Sequence, residues 1–268
     1  TTFFGVPTML IALLDSHAVS PVDYSSVKIA ISGGSMVAPE LVRRVKNTVD
    51  CSFSTVYGQT ETSPVLTQTF PDDSEEDICN TVGQPLPNKD IAILDPQTSE
   101  VLPLDTIGEI CSRGYCNMLR YNDNPEATKA TIGEDGWLHT GDLGSMDERG
   151  YVKITGRLKE MIIRGGENLF PAEIENTLLE HPAVAEVAVV GIPDPKWGEI
   201  VGCFVRPVDG TEPKIAELIA HCRQYLSPVK TPTKWMFVEE WPLTGSGKIQ
   251  KFNLLENFEQ GAYQEETA

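Results

Sequence analysis

No stretch of this chain approaches the roughly 18 consecutive apolar residues that a membrane-spanning helix needs, so an integral membrane helix is excluded and the chain reads as soluble. Positive charge is scarce: 21 Lys and Arg stand against 39 Asp and Glu, a formal net charge of -18. That balance argues against nucleic acid or an anionic membrane surface as the main partner. Any polyanion must instead be met by local positive groups and a metal ion. The six cysteines (Cys51, Cys79, Cys111, Cys116, Cys203, Cys222) contain no C-x-x-C pair. This predicts reduced thiols in an intracellular, cytoplasmic setting rather than a disulfide or zinc framework, with no metal held by cysteine. The opening Thr1-Thr2-Phe3-Phe4 carries neither a Met nor a signal-peptide pattern. The expectation is therefore a piece of a longer chain, any organelle-targeting signal lying upstream. Internal repeats and low-complexity tracts are absent from the sequence as well.

What is present suits a globular enzyme. The 268 residues are enough for one large domain or two smaller ones, and 40% hydrophobic with 22% charged content is ordinary. Residues 8–17 read as an apolar helix, Val27–Ser32 as a buried strand running into Gly33-Gly34-Ser35, and Pro39–Val49 as an amphipathic helix opened by its proline. This is an α/β unit. From about Val82 to Tyr151 the texture changes to short alternating segments (Asp90–Leu94, Gly108–Ser112, Tyr151–Thr155) between turn residues, as in an antiparallel sheet or small barrel. After Gly156-Arg157-Leu158-Lys159 come Met161–Ile163, a helix over 171–180, strands at Val184–Val190 and Ile200–Arg206, a helix over 214–226 and a strand at Trp235–Val238. That pattern predicts a compact α+β domain with a frayed polar tail at 264–268.

Four stretches carry chemistry. Tyr57-Gly58-Gln59-Thr60-Glu61-Thr62 follows a strand and supplies what a nucleotide site needs. Tyr57 can stack on a base, Thr60 can bond a phosphate oxygen, and Glu61 can help hold Mg2+. A polar loop with a capping or solvated Glu61 is the plainer alternative. Gly136-Trp137-Leu138-His139-Thr140-Gly141-Asp142 places a carboxylate after a glycine, where Asp142 can accept ribose hydroxyls or simply close a hairpin turn. His139, with no spaced partner, reads as structural. Gly156-Arg157-Leu158-Lys159 falls where the texture breaks, a place suited to a hinge or to a charged linker. Arg157 offers a fork of donors, and Gly165-Gly166 lets backbone lie against a narrow ligand such as a pantetheine arm. Lys248 sits on the glycine-rich loop Pro242-Leu243-Thr244-Gly245-Ser246-Gly247-Lys248, where it is either a surface lysine or a mobile cation for developing negative charge.

The ordered set is more specific than any member. Ser32-Gly33-Gly34-Ser35, Tyr57-Gly58-Gln59-Thr60-Glu61, Thr140-Gly141-Asp142, Gly156-Arg157-Leu158-Lys159-Glu160 and Thr244-Gly245-Ser246-Gly247-Lys248 resemble, in order and spacing, the signature motifs of the adenylate-forming superfamily. Ile163-Arg164-Gly165-Gly166-Glu167-Asn168-Leu169-Phe170-Pro171-Ala172-Glu173-Ile174-Glu175 is most similar to its medium- and long-chain fatty acyl-CoA synthetases. The resemblance implies the C-terminal part of the large AMP-binding domain over 1–156, divided into an α/β part (1–83) and a β-rich, barrel-like part (84–156). A small mobile α+β domain over 157–268 would follow. It also implies that ATP and Mg2+ activate a carboxylic acid as acyl-AMP, which is then passed to coenzyme A. By that resemblance Gly34, Ser35, Tyr57 and Gly58 line the nucleotide pocket, Thr60 contacts the α-phosphate, Glu61 coordinates Mg2+, and Asp142 and Arg157 hold the ribose. Lys159 matches the hinge, Lys248 the adenylation lysine, and Gly165 and Gly166 the coenzyme A channel. The oligomeric state is left open.

The superfamily's Ser/Thr/Gly-rich phosphate loop has no counterpart, and by its order it belongs upstream of Thr1. A cradle of backbone amides for the β- and γ-phosphates is then lacking. Three rivals are weighed against the synthetase: an adenylation domain loading a carrier protein, a non-catalytic orphan fragment and a luciferase-like oxidase. Nothing in the residues calls for oxygen chemistry, and no carrier module follows Lys248. The sequence therefore predicts that these 268 residues alone do not catalyse ATP–pyrophosphate exchange. Incorporation of labelled pyrophosphate into ATP by the purified chain would overturn this expectation.

Overall fold

A computed structural model describes residues 1–35, 37–245 and 248–266. Ser246 and Gly247 of the glycine-rich loop, and Thr267 and Ala268 of the tail, lie outside the described residues. Backbone proximity divides the chain into two compact units, Thr1–Ile154 and Thr155–Ala268.

The first unit opens with β1 (Thr2–Phe4), α1 (Pro7–Val19), β2 (Ile29–Gly33), α2 (Pro39–Val49), β3 (Ser52–Tyr57), β4 (Thr67–Gln68), α3 (Glu75–Asn80) and β5 (Gln84–Pro85). Its first sheet has the order β1-β2-β3-β4-β5, with β1, β2 and β3 parallel and the last two pairings antiparallel. Parallel neighbours need a crossover, and α2 supplies the one between β2 and β3. Its Leu41, Val42, Val45 and Val49 recur at helical spacing on the buried face, with Pro39 in the first turn and Asp50 closing the helix in the left-handed region at φ 53°. That face packs with Leu10 and Leu14 of α1, Ala30 of β2 and Phe53 of β3.

A second, antiparallel sheet follows, built from β6 (Lys89–Leu94), β7 (Gly108–Gly114), β8 (Leu138–Met146) and β9 (Val152–Arg157) in sequential order, with α4 (Pro125–Thr131) between β7 and β8. The sequence reading did not place β8 as a strand. Its Thr140-Gly141-Asp142 stretch interrupts the alternation that marks a strand, because the register steps from Glu109↔Leu143 to Cys111↔His139. Three residues of β8 thus face the single residue Ile110, which is a bulge.

Within this unit an ionic clasp joins α3 to the turn before β9. Arg149 donates to both carboxylate oxygens of Asp77 at 2.7 and 3.1 Å, and Tyr151 donates its hydroxyl to Asp73 at 2.7 Å. Behind it, Gly83 at φ 80° passes so close to Gln68 that a Cβ would stand 1.9 Å from the Gln68 carbonyl carbon, so only glycine fits.

The second unit continues with β10 (Ile162–Arg164), β11 (Glu167–Leu169), α5 (Pro171–Leu179), β12 (Val184–Asp194), β13 (Gly198–Pro207), α6 (Ile215–Tyr225), β14 (Lys234–Phe237) and α7 (Lys251–Glu259). Strand β13 pairs antiparallel with β12 and β10 and parallel with β14. Both faces of the sheet are covered, which is why β12 reads as a nearly unbroken apolar run. Its Val187 and Val189 enter one core with Ile174 of α5 and Leu218 and Cys222 of α6, while Ala188, Val190 and Ile192 enter another with Leu254 of α7. The sequence reading missed α7 and β11. It also expected a frayed tail, yet Glu266 donates its N–H to the Trp235 carbonyl at 2.8 Å and Lys234 pairs with Glu265 at 2.7 Å. The tail is docked through Glu266.

The clasp carries a pH signature. Hydrogen bonds from Arg149 and then Ser74 lower the pKa of Asp77 from its ordinary 3.8. A depressed carboxyl pKa contributes stability that is present above the unfolded value and is lost as pH falls through the folded one. Because Arg149 is half-exposed, solvent screens the pair and its contribution is small. Asp77→Asn should therefore lower the chemical-denaturation midpoint near neutral pH, and the gap from wild type should close as pH drops below 3.8. Parallel curves at every pH would disprove the assignment.

Candidate active site

The carboxyl ends of β2 and β3 lie side by side, because Gly33 is in register with Val56. The loops that leave them begin at Gly34 and Gly58. Crevices beyond the carboxyl ends of parallel strands are where open α/β sheets bind ligands. Gly34 has φ 81°, and Gly34 and Ser35 are exposed. At Gly58 an added Cβ would stand 1.9 Å from the Pro64 carbonyl oxygen, so the turn after Tyr57 closes only around a residue without a side chain. Thr60–Thr62 then form one 3-10 turn, held by a reciprocal cap in which Gln59 N–H donates to Thr62 Oγ1 at 3.1 Å. The turn leaves Thr60 exposed and Glu61 half-buried.

Tyr57, only 7% exposed, packs among Leu66, Ile93, Ile110 and Val152. Its hydroxyl donates to Asp142 Oδ2 at 2.9 Å, joining the end of β3 to the bulge of β8. The bulge delivers Asp142 to this point. Thr140 Oγ1 donates to the Ile110 carbonyl at 2.6 Å and accepts from Asp142 N–H at 3.1 Å, while Gly141 turns at φ 74° with nothing within 4 Å of where its Cβ would be. An unobstructed backbone therefore stands beside a buried carboxylate.

Two residues that the sequence reading did not nominate complete the arrangement. Glu109, 4% exposed on β7, accepts from Gly141 N–H through Oε1 at 2.8 Å, and its Oε2 lies 2.7 Å from His139 Nδ1. It grips the bulge from both ends, and the carboxylate selects the Nδ1–H tautomer of His139. Tyr121 donates its hydroxyl to Glu61 Oε1 at 2.8 Å, and burial followed by this bond raises the tyrosine pKa. No local signal marks either residue, since each acts on a partner at least 30 positions away. His139 does have partners after all, Glu109 and, at 3.5 Å, Cys111 Sγ. Among the described residues these three form the one group with metal-ligand geometry. Burial and the Glu109 charge push the Cys111 thiol far up, so without a metal it stays protonated.

The structure thus brings Tyr57 and Asp142 together, and the register of Gly33 with Val56 carries Gly34 and Tyr57 out at neighbouring strand ends. Ser35, Gly58, Thr60 and Glu61 follow on the two loops of the first unit, and Arg157, Lys159, Gly165, Gly166 and Lys248 belong to the second unit. Arg157 ends β9 exposed, and Lys159 is exposed in a 3-10 turn over Leu158–Glu160. Gly165 and Gly166 form the β10–β11 turn at φ 59° and 89°, and Gly165 N–H donates to the Trp197 carbonyl at 2.7 Å. Lys248 is exposed at the far side of a loop closed by Thr244: Thr244 N–H donates to the Lys248 carbonyl at 2.8 Å, and Lys248 N–H to Thr244 Oγ1 at 3.0 Å.

Comparison with known proteins identifies relatives of both units. A family described as AMP-binding enzyme matches residues 1–122, and one described as AMP-binding enzyme C-terminal domain matches residues 173–248. The mitochondrial medium-chain acyl-CoA ligase ACSF2 of Rattus norvegicus is 41% identical over 97% of this chain and 42% of its own length. Its counterpart in Danio rerio is 42% identical over 97% of the chain and 43% of its length. Among solved structures, ATP-bound MatB from Rhodopseudomonas palustris superposes with a TM-score of 0.87 at 33% identity, covering 96% of this chain and 51% of that one. The o-succinylbenzoate CoA synthetase MenE from Bacillus subtilis, in complex with the acyl-adenylate intermediate OSB-AMP, gives 0.83 at 31% identity, covering 95% and 50%. The chain spans about half the length of the proteins it matches. With the motif-bearing loops at the strand ends, the bulge that carries Asp142 and a family match to each unit, the chain belongs to the AMP-binding enzymes of the adenylate-forming superfamily.

Proposed function

We propose that this protein contributes to an AMP-forming acid–thiol ligase, which activates a carboxylic acid with ATP as acyl-AMP and transfers the acyl group to coenzyme A. The observation that carries the reading is the buried hydrogen bond from Tyr57 to Asp142 at 2.9 Å, with the Gly34 and Gly58 loops alongside. The acid we assign is a medium-chain fatty acid, after the relatives named as medium-chain acyl-CoA ligases.

In the first half-reaction the carboxylate attacks the α-phosphorus and pyrophosphate leaves. In the second, the coenzyme A thiol attacks the acyl carbon of the mixed anhydride and AMP leaves. Asp142, oriented by Tyr57 and by the bulge that Glu109 grips, accepts ribose hydroxyls. Arg157 donates to the same sugar. Thr60, exposed at the head of its turn, donates to the α-phosphate. Glu61 fits a hard cation, being a half-buried carboxylate whose Oε1 is steadied by Tyr121 at 2.8 Å. Mg2+, when bound, neutralises phosphate charge during the displacement.

Lys248 supplies positive charge to the carboxylate and α-phosphate in adenylation. A thiol must occupy that region in the second step, so the two groups alternate. We assign Lys159 as the pivot. Gly165 and Gly166 offer an exposed backbone strip in the left-handed region for the pantetheine arm.

In the full-length protein, Lys248→Ala should slow acyl-AMP formation by roughly 100- to 1,000-fold while transfer from synthetic acyl-AMP to coenzyme A changes by less than about threefold. Equal loss in both partial reactions would refute the assignment. Glu109→Ala leaves the Gly141 N–H without its acceptor and should cost about 1–3 kcal/mol in urea unfolding. AMP affinity measured by equilibrium dialysis should fall with it, and unchanged affinity would show that the bulge does not serve the nucleotide.

A further inference from the structure

Lys251, the first residue of α7, lies three positions beyond Lys248 in the sequence. Its ammonium is 2.8 Å from Glu160 Oε2 and 2.8 Å from Glu175 Oε1, and the three side chains are only 21%, 35% and 16% exposed. Each carboxylate belongs to a different element. Glu160 ends the 3-10 turn that contains Lys159, and Glu175 lies on α5, where its Oε1 also accepts the Val189 N–H of β12 at 2.7 Å. The chain between Lys251 and the loop is short and braced. Gln250 N–H donates to the Pro242 carbonyl at 2.8 Å, and Leu243 and Ile249 form a β-bridge.

We infer that Lys251 is a positioning residue that ties the loop bearing Lys248 to the turn bearing Lys159, so that the cation and the pivot move as one piece. This rests on the ligase reading above for the roles of Lys248 and Lys159, but the tie itself follows from the geometry. Burial pulls the Lys251 ammonium pKa down, yet Glu175 and Glu160 more than offset it and the net shift is upward, so the tie is charged under ordinary conditions. A partly buried ion pair with two carboxylates is directional and intolerant of losing its central charge. A neutral replacement leaves Glu160 and Glu175 facing each other and releases the start of α7. A misplacement of about 1 Å in a catalytic group is enough to cost on the order of a hundredfold in rate.

The test uses Lys251→Ala and Lys251→Arg in the full-length protein, with two readouts. Amide hydrogen exchange decides the tie without turnover. Lys251→Ala should raise exchange at 158–160 and 248–250 while α6 and β13 keep wild-type protection, and Lys251→Arg should restore protection. In the partial reactions, Lys251→Ala should slow acyl-AMP formation by roughly 10- to 100-fold, leave transfer from synthetic acyl-AMP within about threefold, and be rescued by Lys251→Arg. Unchanged exchange at 158–160 overturns the inference, and so does a general loss of protection across the unit that Lys251→Arg fails to rescue. Wild-type protein that shows the exchange pattern but forms no acyl-AMP would refute the ligase reading and leave the tie standing.

Discussion

The first unit depends on one hydrogen bond that no local rule requires. Tyr57 ends a parallel strand of one sheet and Asp142 protrudes from a bulge in another, and the bond between them is buried. A carboxylate out of contact with water is costly unless it is hydrogen-bonded. The surroundings fall into place once that requirement is imposed. The bulge exists to bring Asp142 within reach of the phenol, Glu109 holds the bulge by the Gly141 amide, and Thr140 satisfies the Ile110 carbonyl that three facing residues would otherwise leave orphaned. The Tyr57 ring fills the apolar space among Leu66, Ile93, Ile110 and Val152. Its hydroxyl, more than an open ring face, is what it contributes.

Much of the fold was legible where burial is periodic. Helix α2 runs from Pro39 to Val49 as the pattern predicts, because an amphipathic stripe, an opening proline and a closing left-handed residue all act within a few positions. Strands β12 and β13 announce themselves as apolar runs. Strand β8 did not, since a bulge destroys the period on which such a reading relies. Helix α7 did not either, although Leu254, Leu255 and Phe258 stand at helical spacing, because they follow a glycine-rich loop among polar residues. The docked tail depends on Lys234 and Trp235, about thirty positions earlier, and such a contact leaves no mark in the tail itself.

For the site, the motif residues were legible as a set and their supports were not. Tyr57 and Asp142 are 85 positions apart, so neither alone shows that the other holds it. Glu109 and Tyr121 are invisible for the same reason, as each has an ordinary residue type in an ordinary stretch. His139 has no partner spaced from it within its own motif, and its contact with Glu109 spans 30 positions. What spacing cannot convey is which groups share a carboxylate, and in this protein that sharing sets the geometry.

Strand β12 sends alternate side chains into two separate cores. A cavity opened on either side loosens the same backbone ladder, so the two layers cannot melt independently. The second unit should therefore behave as a single cooperative block.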